Sequence, residues 1–200
     1  MKKIILALLI GIVGSCILYS YSSFAQECDQ IRNDVFRLHI LANSDSKEDQ
    51  ALKLEVRDQI LKNSDDIFSV SKNKGEAMAQ VAQKKEEIRK IALDEIKKNG
   101  YSYDVKVEIC NMFFDTRTYE DVTLPAGKYD ALRVTIGSAS GKNWWCVLYP
   151  PLCLQAAKPQ EEIKKVLDEK QIDIVKQPQK YEVRFATVEI YEKIKNKLFD

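Results

Sequence analysis

The sequence predicts an α+β fold: a single domain with a mostly antiparallel sheet and helices packed on it, preceded by an N-terminal signal segment. Three observations lead there. Between Tyr101 and Ile136 apolar residues alternate with polar ones in successive short stretches joined by turn residues, and an unbroken apolar strand, "WWCVLY", follows. Ahead of them, two stretches repeat apolar residues every three or four positions, the period of helices laid on a core. The chain itself opens on Lys2, Lys3 and the apolar run "IILALLIGIVGSCILYSY", a basic end followed by a hydrophobic stretch.

That opening reads as a signal peptide over residues 1–25. "SFAQ" offers a cleavage site after Ala25, with Ser23 and Ala25 at the small-residue positions. Two other readings stand beside it. The run can remain as an uncleaved anchor, although it is short for a membrane span of about 20 residues. "IVGSC" also resembles a lipobox with Cys16 as the acceptor, but Ile17, Leu18 and Tyr19 continue the apolar run. Residues 26–200 then form one domain, whose first residues, 26 to about 34, are expected to be its most flexible part.

Phe36, Leu38 and Ile40 alternate with Arg37 and His39, which predicts the first strand. "NSDS" breaks it. Ser46 and Asp49 resemble a capping box, and Glu48 and Asp49 suit the positive end of a helix. Leu52, Val56 and Ile60 carry that helix to about Asn63. A second helix is expected over 75–98 with Ala77, Val81, Ile88, Ile91, Ala92 and Ile96 as its stripe; Lys97 and Lys98 favour its C-terminus, and Gly100 suits a left-handed residue just beyond.

Strands are expected next at 101–109, 118–124 and 132–136, with "PAG" and "GSASGKN" as turns, and then at 144–149 until Pro150 and Pro151 stop the chain. An unbroken apolar strand implies burial on both faces. Residues 160–169 read as a helix, Tyr181, Val183 and Phe185 as a last strand, and 188–198 as a terminal helix. Strands in succession imply a mostly antiparallel sheet with its helices on one side.

With 200 residues the chain holds one core comfortably. Its 31 basic and 30 acidic residues nearly balance, and loss of Lys2 and Lys3 leaves a net charge of about −1. No basic field gathers nucleic acid. Removal of residues 1–25 leaves Cys28, Cys110, Cys146 and Cys153, an even number in an exported protein. Cys146 and Cys153 are close in sequence with the double proline between them, so they are the candidate disulfide; buried free thiols are the alternative.

The spacing excludes several chemistries. No C-x₂₋₄-C pair accompanies the single histidine, His39, so no zinc site is expected. No glycine-rich phosphate loop is present. "NSDSKED" lacks the spaced oxygen ligands of a calcium loop. A catalytic thiol would need His39 as its base, and nothing in the sequence brings the two together. No catalytic residue, metal or cofactor is expected.

Three stretches together, "RLHILANSDS" with "DQALKLEVRD" (37–58), "LPAGKYDALRVTIG" (124–137) and "GKNWWCVLYPPLC" (141–153), resemble the stage II sporulation protein R family of endospore formers over roughly residues 35–155. The resemblance implies a protein made in the forespore and secreted into the space between the forespore and mother-cell membranes. There it would activate a membrane-embedded aspartic protease that matures the mother-cell pro-sigma factor. The partner it implies is that protease, and the protein would be a signal rather than an enzyme. The alternatives are an exported envelope-acting hydrolase using Cys146 or a carboxylate, and a structural envelope protein.

The resemblance assigns no contacts. Composition points to the loop from Ser138 through Cys153 and the "NSDS" turn as the partner surface. Its candidate residues are Asn43, Asp45, Asn143, Trp144, Trp145, Tyr149, Pro150 and Pro151. Neighbouring tryptophans on a strand point to opposite faces, so one can enter the core while the other anchors a partner.

Overall fold

In a computed structural model, residues 2–63, 71–152 and 159–199 are described. Helix α1 (Lys2–Asp34) leads into strand β1 (Phe36–Leu41). Helices α2 (Lys47–Lys62), α3 (Lys74–Gln83) and α4 (Lys85–Lys98) follow. Then come β2 (Val105–Phe114), a hairpin of β3 (Arg117–Tyr119) and β4 (Val122–Leu124), β5 (Gly127–Ile136) and β6 (Asn143–Tyr149). Helices α5 (Pro159–Ile163) and α6 (Glu169–Lys176), a 3-10 turn at Pro178–Tyr181 and α7 (Glu182–Phe199) end the chain.

The main sheet has the order β2-β5-β1-β6. Strands β2 and β5 pair antiparallel, as do β1 and β6, while β1 runs parallel to β5. The fold class is therefore α+β with a mostly antiparallel, mixed sheet. The parallel pair follows from topology: a helical connection, with three helices among the described residues, separates β1 from β2, and β1 then inserts between β5 and β6.

Both faces of the sheet are covered, a departure from the expected one-sided layer. Phe36, Leu38 and Ile40 of β1 join Leu52, Val56 and Ile60 of α2 and Ile88, Ala92 and Ile96 of α4 in one core. Across the sheet, Ala131 and Tyr129 of β5 and Val147 of β6 pack with Phe24, Cys28 and Ile31 of α1 and with Phe185 and Val188 of α7. All six β1 residues are buried, as suits a central strand covered on both sides.

The second core explains two corrections. The segment 26–34 is helix rather than a flexible lead, because Phe24, Cys28, Ile31 and Val35 recur at helical spacing and are all buried. Arg32 fixes its end by donating to the Ala126 carbonyl at 2.7 Å and pairing with Asp29 and Glu192. The expected strand at 181–185 is a turn and the start of α7. Phe185 and Val188 face α1 while Val183 is 79% exposed; three alternating residues are too few to outweigh a helical stripe.

Other boundaries shift for local reasons. The helix expected over 75–98 divides at Lys84, letting Ala77 and Val81 reach β1 and β6 while α4 packs on α2 and β2. Gly100 takes φ +81°, and Tyr101 N donates back to the Ile96 carbonyl, ending α4 as the glycine predicts. Tyr101 and Tyr103 precede β2, which instead runs on to Phe114. The strand expected at 118–124 is a hairpin turning at Glu120, which takes φ 52°. The 160–169 helix is two: α5 ends at Ile163, and Asp168 begins α6 with a capping box to Gln171.

Candidate recognition surface

Two loops meet at one end of the sheet, residues 42–46 after β1 and 137–142 between β5 and β6. Parallel pairing of β1 with β5 makes both strands end on the same side, which brings these loops together. Asn43 is the centre. Its carbonyl accepts from Ser138 Oγ at 2.6 Å, Ser140 Oγ at 2.7 Å and Ser140 N at 3.1 Å. Its side-chain Oδ1 accepts from Ser138 N at 2.9 Å, and its Nδ2 donates to Asp49 Oδ2 at 2.9 Å. Asp45 Oδ1 accepts from Lys142 N at 2.6 Å.

Asp49 ties this arrangement to α2. Ser46 Oγ accepts from Asp49 N, half of the expected capping box. The Asp49 carboxylate turns instead to Ser44 Oγ, at 2.5 Å, and to Asn43. The Ser44 hydrogen bond, with that of Asn43, holds this carboxyl below its usual range against the opposing effect of burial. Buried Lys53 donates to the Lys142 carbonyl at 3.1 Å and to Gln50 Oε1 at 2.6 Å; burial lowers its pKa.

The approach is close enough to require glycine twice. Gly137 has φ +56°, and a Cβ there would fall 2.2 Å from Asn43 Oδ1. A Cβ on Gly141 would fall 2.1 Å from the Ser44 carbonyl oxygen. Sequence reasoning named Asn43 and Asp45 but missed Gly137, Gly141, Ser138, Ser140 and Asp49 as the residues that hold them. Their signal was the pairing of two short loops rich in Asn, Ser and Gly, each following an apolar strand.

The remaining candidates are distributed along β6. Trp144 faces the α2 core, half-buried, with the Arg57 guanidinium 5.0 Å from its ring. Trp145 faces the other way. It stacks on His39 with centroids 4.0 Å apart, meets Phe114 edge-on at 4.7 Å, and lies 5.4 Å from the Arg117 guanidinium. His39 Nε2 donates to Asn143 Oδ1 at 2.8 Å. Burial is the main cause that lowers the His39 pKa to about 4, so the ring is neutral near pH 7.

Tyr149, Pro150 and Pro151 stand at the far end of β6, about 20 Å from Asn143 at a strand's rise per residue. Tyr149 donates to the Lys72 carbonyl at 3.0 Å, Pro150 is buried behind a cis peptide bond, and Pro151 is half-buried. The eight candidates therefore do not form one patch. Asn43, Asp45 and Asn143 share the loop end, the tryptophans occupy opposite faces, and the prolines lie at the other end. Cys146 is buried; Cys153, the other half of the candidate disulfide, lies outside the described residues.

Cys146 pairs with Leu38 and shares its face, whereas His39 pairs with Trp145 on the opposite face. The sheet thus separates Cys146, the nucleophile of the hydrolase alternative, from the chain's single histidine. Burial raises Cys28 to about 12 and also raises Cys110, so both are held as thiols. Among the described residues no group of three His, Cys, Asp or Glu side chains could hold a metal ion.

Comparison with known proteins gives this surface a context. Residues 32–159 match the family described as stage II sporulation protein R. The stage II sporulation protein R of Bacillus subtilis (strain 168) is 39% identical over 142 residues, covering 66% of this chain and 62% of that protein's length. No solved structure matches. The matched segment begins at Arg32 and includes both laced loops and all of β6. The chain belongs to the stage II sporulation protein R family and has a role in sporulation.

Proposed function

We propose that this domain is a signal exported from the forespore that activates a membrane-embedded aspartic protease in the facing mother-cell membrane. Activation would trigger removal of the pro-sequence from the mother-cell sigma factor. The observation that carries this reading is family membership across residues 32–159, the stretch that holds the laced loops. The absence of a Cys146–His39 pair on one face favours a binding role over the hydrolase alternative.

A ligand activates its target only through the difference between its affinities for the active and inactive states. Moving a protease from 1% to 99% active needs a difference of about 10⁴-fold, or roughly 5.5 kcal/mol. A preordered surface meets that demand at lower entropic cost than a mobile one. The loops 42–46 and 137–142 have this character: the hydrogen bonds to Asn43 and Asp45 fix both backbones before any partner arrives. We assign the first contacts to this loop end, with Asn43, Asp45, Asn143 and the neighbouring Trp144 edge.

The test is a reconstitution. The full chain is expressed with its export segment in a non-sporulating host that carries the cognate protease and pro-sigma factor. Pro-sequence removal is followed by mobility shift. Cleavage that requires this chain supports the signalling role. No cleavage, with folded protein present outside the cytoplasmic membrane, overturns it.

A further inference from the structure

We propose that α1 is not cut after Ala25 but is retained, with Ile4–Tyr19 in the bilayer and residues 20–34 built into the folded domain. This inference is independent of the signalling role. It rests on the partners that the apparent leader has elsewhere in the chain.

Helix α1 runs without a break from Lys2 to Asp34, through the "SFAQ" cleavage sequence. Residues on the leader side of Ala25 are docked. Phe24 is 2% exposed. Its ring stacks on Tyr181 at 5.4 Å and receives the edge of Phe185, also at 5.4 Å. Arg184 donates to Ser20 Oγ at 3.0 Å and Lys170 to Ser23 Oγ at 2.8 Å. On the domain side Lys170 also pairs with Glu27 at 2.7 Å, and Cys28 is fully buried. The segment 170–185 is thus complementary to residues on both sides of the cleavage sequence. Cutting after Ala25 would remove Phe24 and uncover Tyr181 and Phe185.

Proteases bind their substrates as extended chain, so cleavage of a packed helix requires local unfolding first. Here that unfolding must break the Phe24 cluster and both serine contacts.

The remainder of α1 has the opposite character. The large apolar residues from Ile4 to Val13, with Leu18 and Tyr19, are 54–78% exposed. The most apolar 18-residue stretch of this helix has no residue buried inside the protein, a surface no folded domain leaves to water at this size. The uncharged stretch Ile4–Tyr21 is about 27 Å long as a helix, close to the roughly 30 Å of a hydrocarbon core. Lys2 and Lys3 mark its cytoplasmic end, and Tyr19 and Tyr21 sit where aromatic residues favour the opposite interface. The occupant of this surface is therefore lipid acyl chain, and the domain stands directly on the outer side of the membrane.

The experiment is expression of the full chain, tagged at its C-terminus, in an export-competent bacterial host, followed by alkaline extraction and intact mass. The expected product resists extraction and retains residues 2–25. A product beginning at Gln26, one beginning at a lipidated Cys16, or an uncleaved chain released by alkali would each overturn the proposal. The docking is tested separately by Phe24→Ala in the full chain, which is expected to lower the thermal midpoint by about 5 °C or more. An unchanged midpoint would overturn the assignment of residues 20–25 to the domain.

Discussion

His39 and Trp145 lie ring on ring across the β1–β6 pair, 4.0 Å between centroids and 6° from parallel. The imidazole is buried, and its Nε2 proton is committed to Asn143. Burial is the first cause that depresses its pKa to about 4, and the positive charges of Arg133 and Arg37 act in the same direction. An unfolded chain holds this histidine near its ordinary 6.5. Between these values the unfolded state binds the extra proton, so stability falls as pH drops from about 6.5 toward 4. His39→Phe keeps an aromatic ring against Trp145 and removes the titration. Urea midpoints measured at pH 7, 6, 5 and 4 should fall more steeply for the natural chain than for the variant. Parallel curves would show that His39 is not held neutral by the fold.

The laced loops make a prediction about glycine. Gly141→Ala places a methyl group 2.1 Å from the backbone oxygen of Ser44, and neither partner is a flexible side chain that can turn away. The loops must separate, losing the Lys142–Asp45 and Ser140–Asn43 hydrogen bonds. Asn43→Asp is gentler. It keeps the acceptor for Ser138 but replaces the donor to Asp49 with a second negative charge. We expect about 1–3 kcal/mol of destabilisation for Asn43→Asp and more for Gly141→Ala, read from urea unfolding. Equal stability of Gly141→Ala and the natural chain would contradict the close approach.

Local pattern made much of this fold legible. Alternation located β1 and β5, an unbroken apolar run stopped by prolines located β6, and a serine before an acidic turn located the start of α2. The pattern also held the helix at 26–34, since Phe24, Cys28, Ile31 and Val35 recur at helical spacing, but the apolar leader before them drew attention to processing instead. Long-range pairing was not legible. Nothing local says that β1 lies parallel to β5, and that pairing is what brings Asn43 to Ser138. The same limit applied to the candidate surface: residues 143–151 are contiguous in sequence, yet a strand alternates their faces and separates their ends.

That alternation gives the two tryptophans different expected phenotypes. Trp145 is held between His39 and Phe114, so Trp145→Ala should destabilise by about 2–3 kcal/mol, toward the low end for large aromatic truncations because the ring is only half-buried. Trp144 lies at the edge of the α2 core beside Arg57 and nearer the proposed contact surface. Trp144→Phe should leave the urea midpoint within about 1 kcal/mol of the natural chain while reducing pro-sequence cleavage at limiting amounts of signal. Full cleavage by a stable Trp144→Phe, Trp145→Phe double variant would remove both residues from the interface.

The proposed Cys146–Cys153 bond is tested by counting thiols. In the unfolded, unreduced full chain it leaves Cys16, Cys28 and Cys110 to react, three in all; five would rule the bond out. Closing so small a loop stabilises by about 2–3 kcal/mol in the chain-entropy model. Cys146→Ser and Cys153→Ser should each lower stability, and the double substitution should cost no more than the larger single effect from loss of the bond alone. Additive losses would mean that the two residues act separately.

Arg37 is the least expected occupant of the β1 interior. Its side chain is fully buried, with the guanidinium 3.9 Å from the centroid of Phe114 and 4.7 Å from that of Tyr129. One nitrogen donates to Tyr119 Oη; among the described residues Nε and Nη1 have no hydrogen-bond partner. The aromatic faces offset part of the cost of desolvating the charge, each by about 1–2 kcal/mol, and the buried side chain carries the guanidinium to Tyr119 of β3. The volume and the charge therefore have opposite effects on stability. Arg37→Met keeps most of the volume and removes the desolvated charge, so it should be neutral or stabilising, within the range seen when buried ionic groups are replaced by apolar ones. Arg37→Ala removes both and should cost about 2–5 kcal/mol through the cavity left under Phe114. Chemical unfolding of the pair decides between these effects. If Arg37→Met were as destabilising as Arg37→Ala, the guanidinium itself, through its aromatic contacts and Tyr119, would be what holds the hairpin to the sheet.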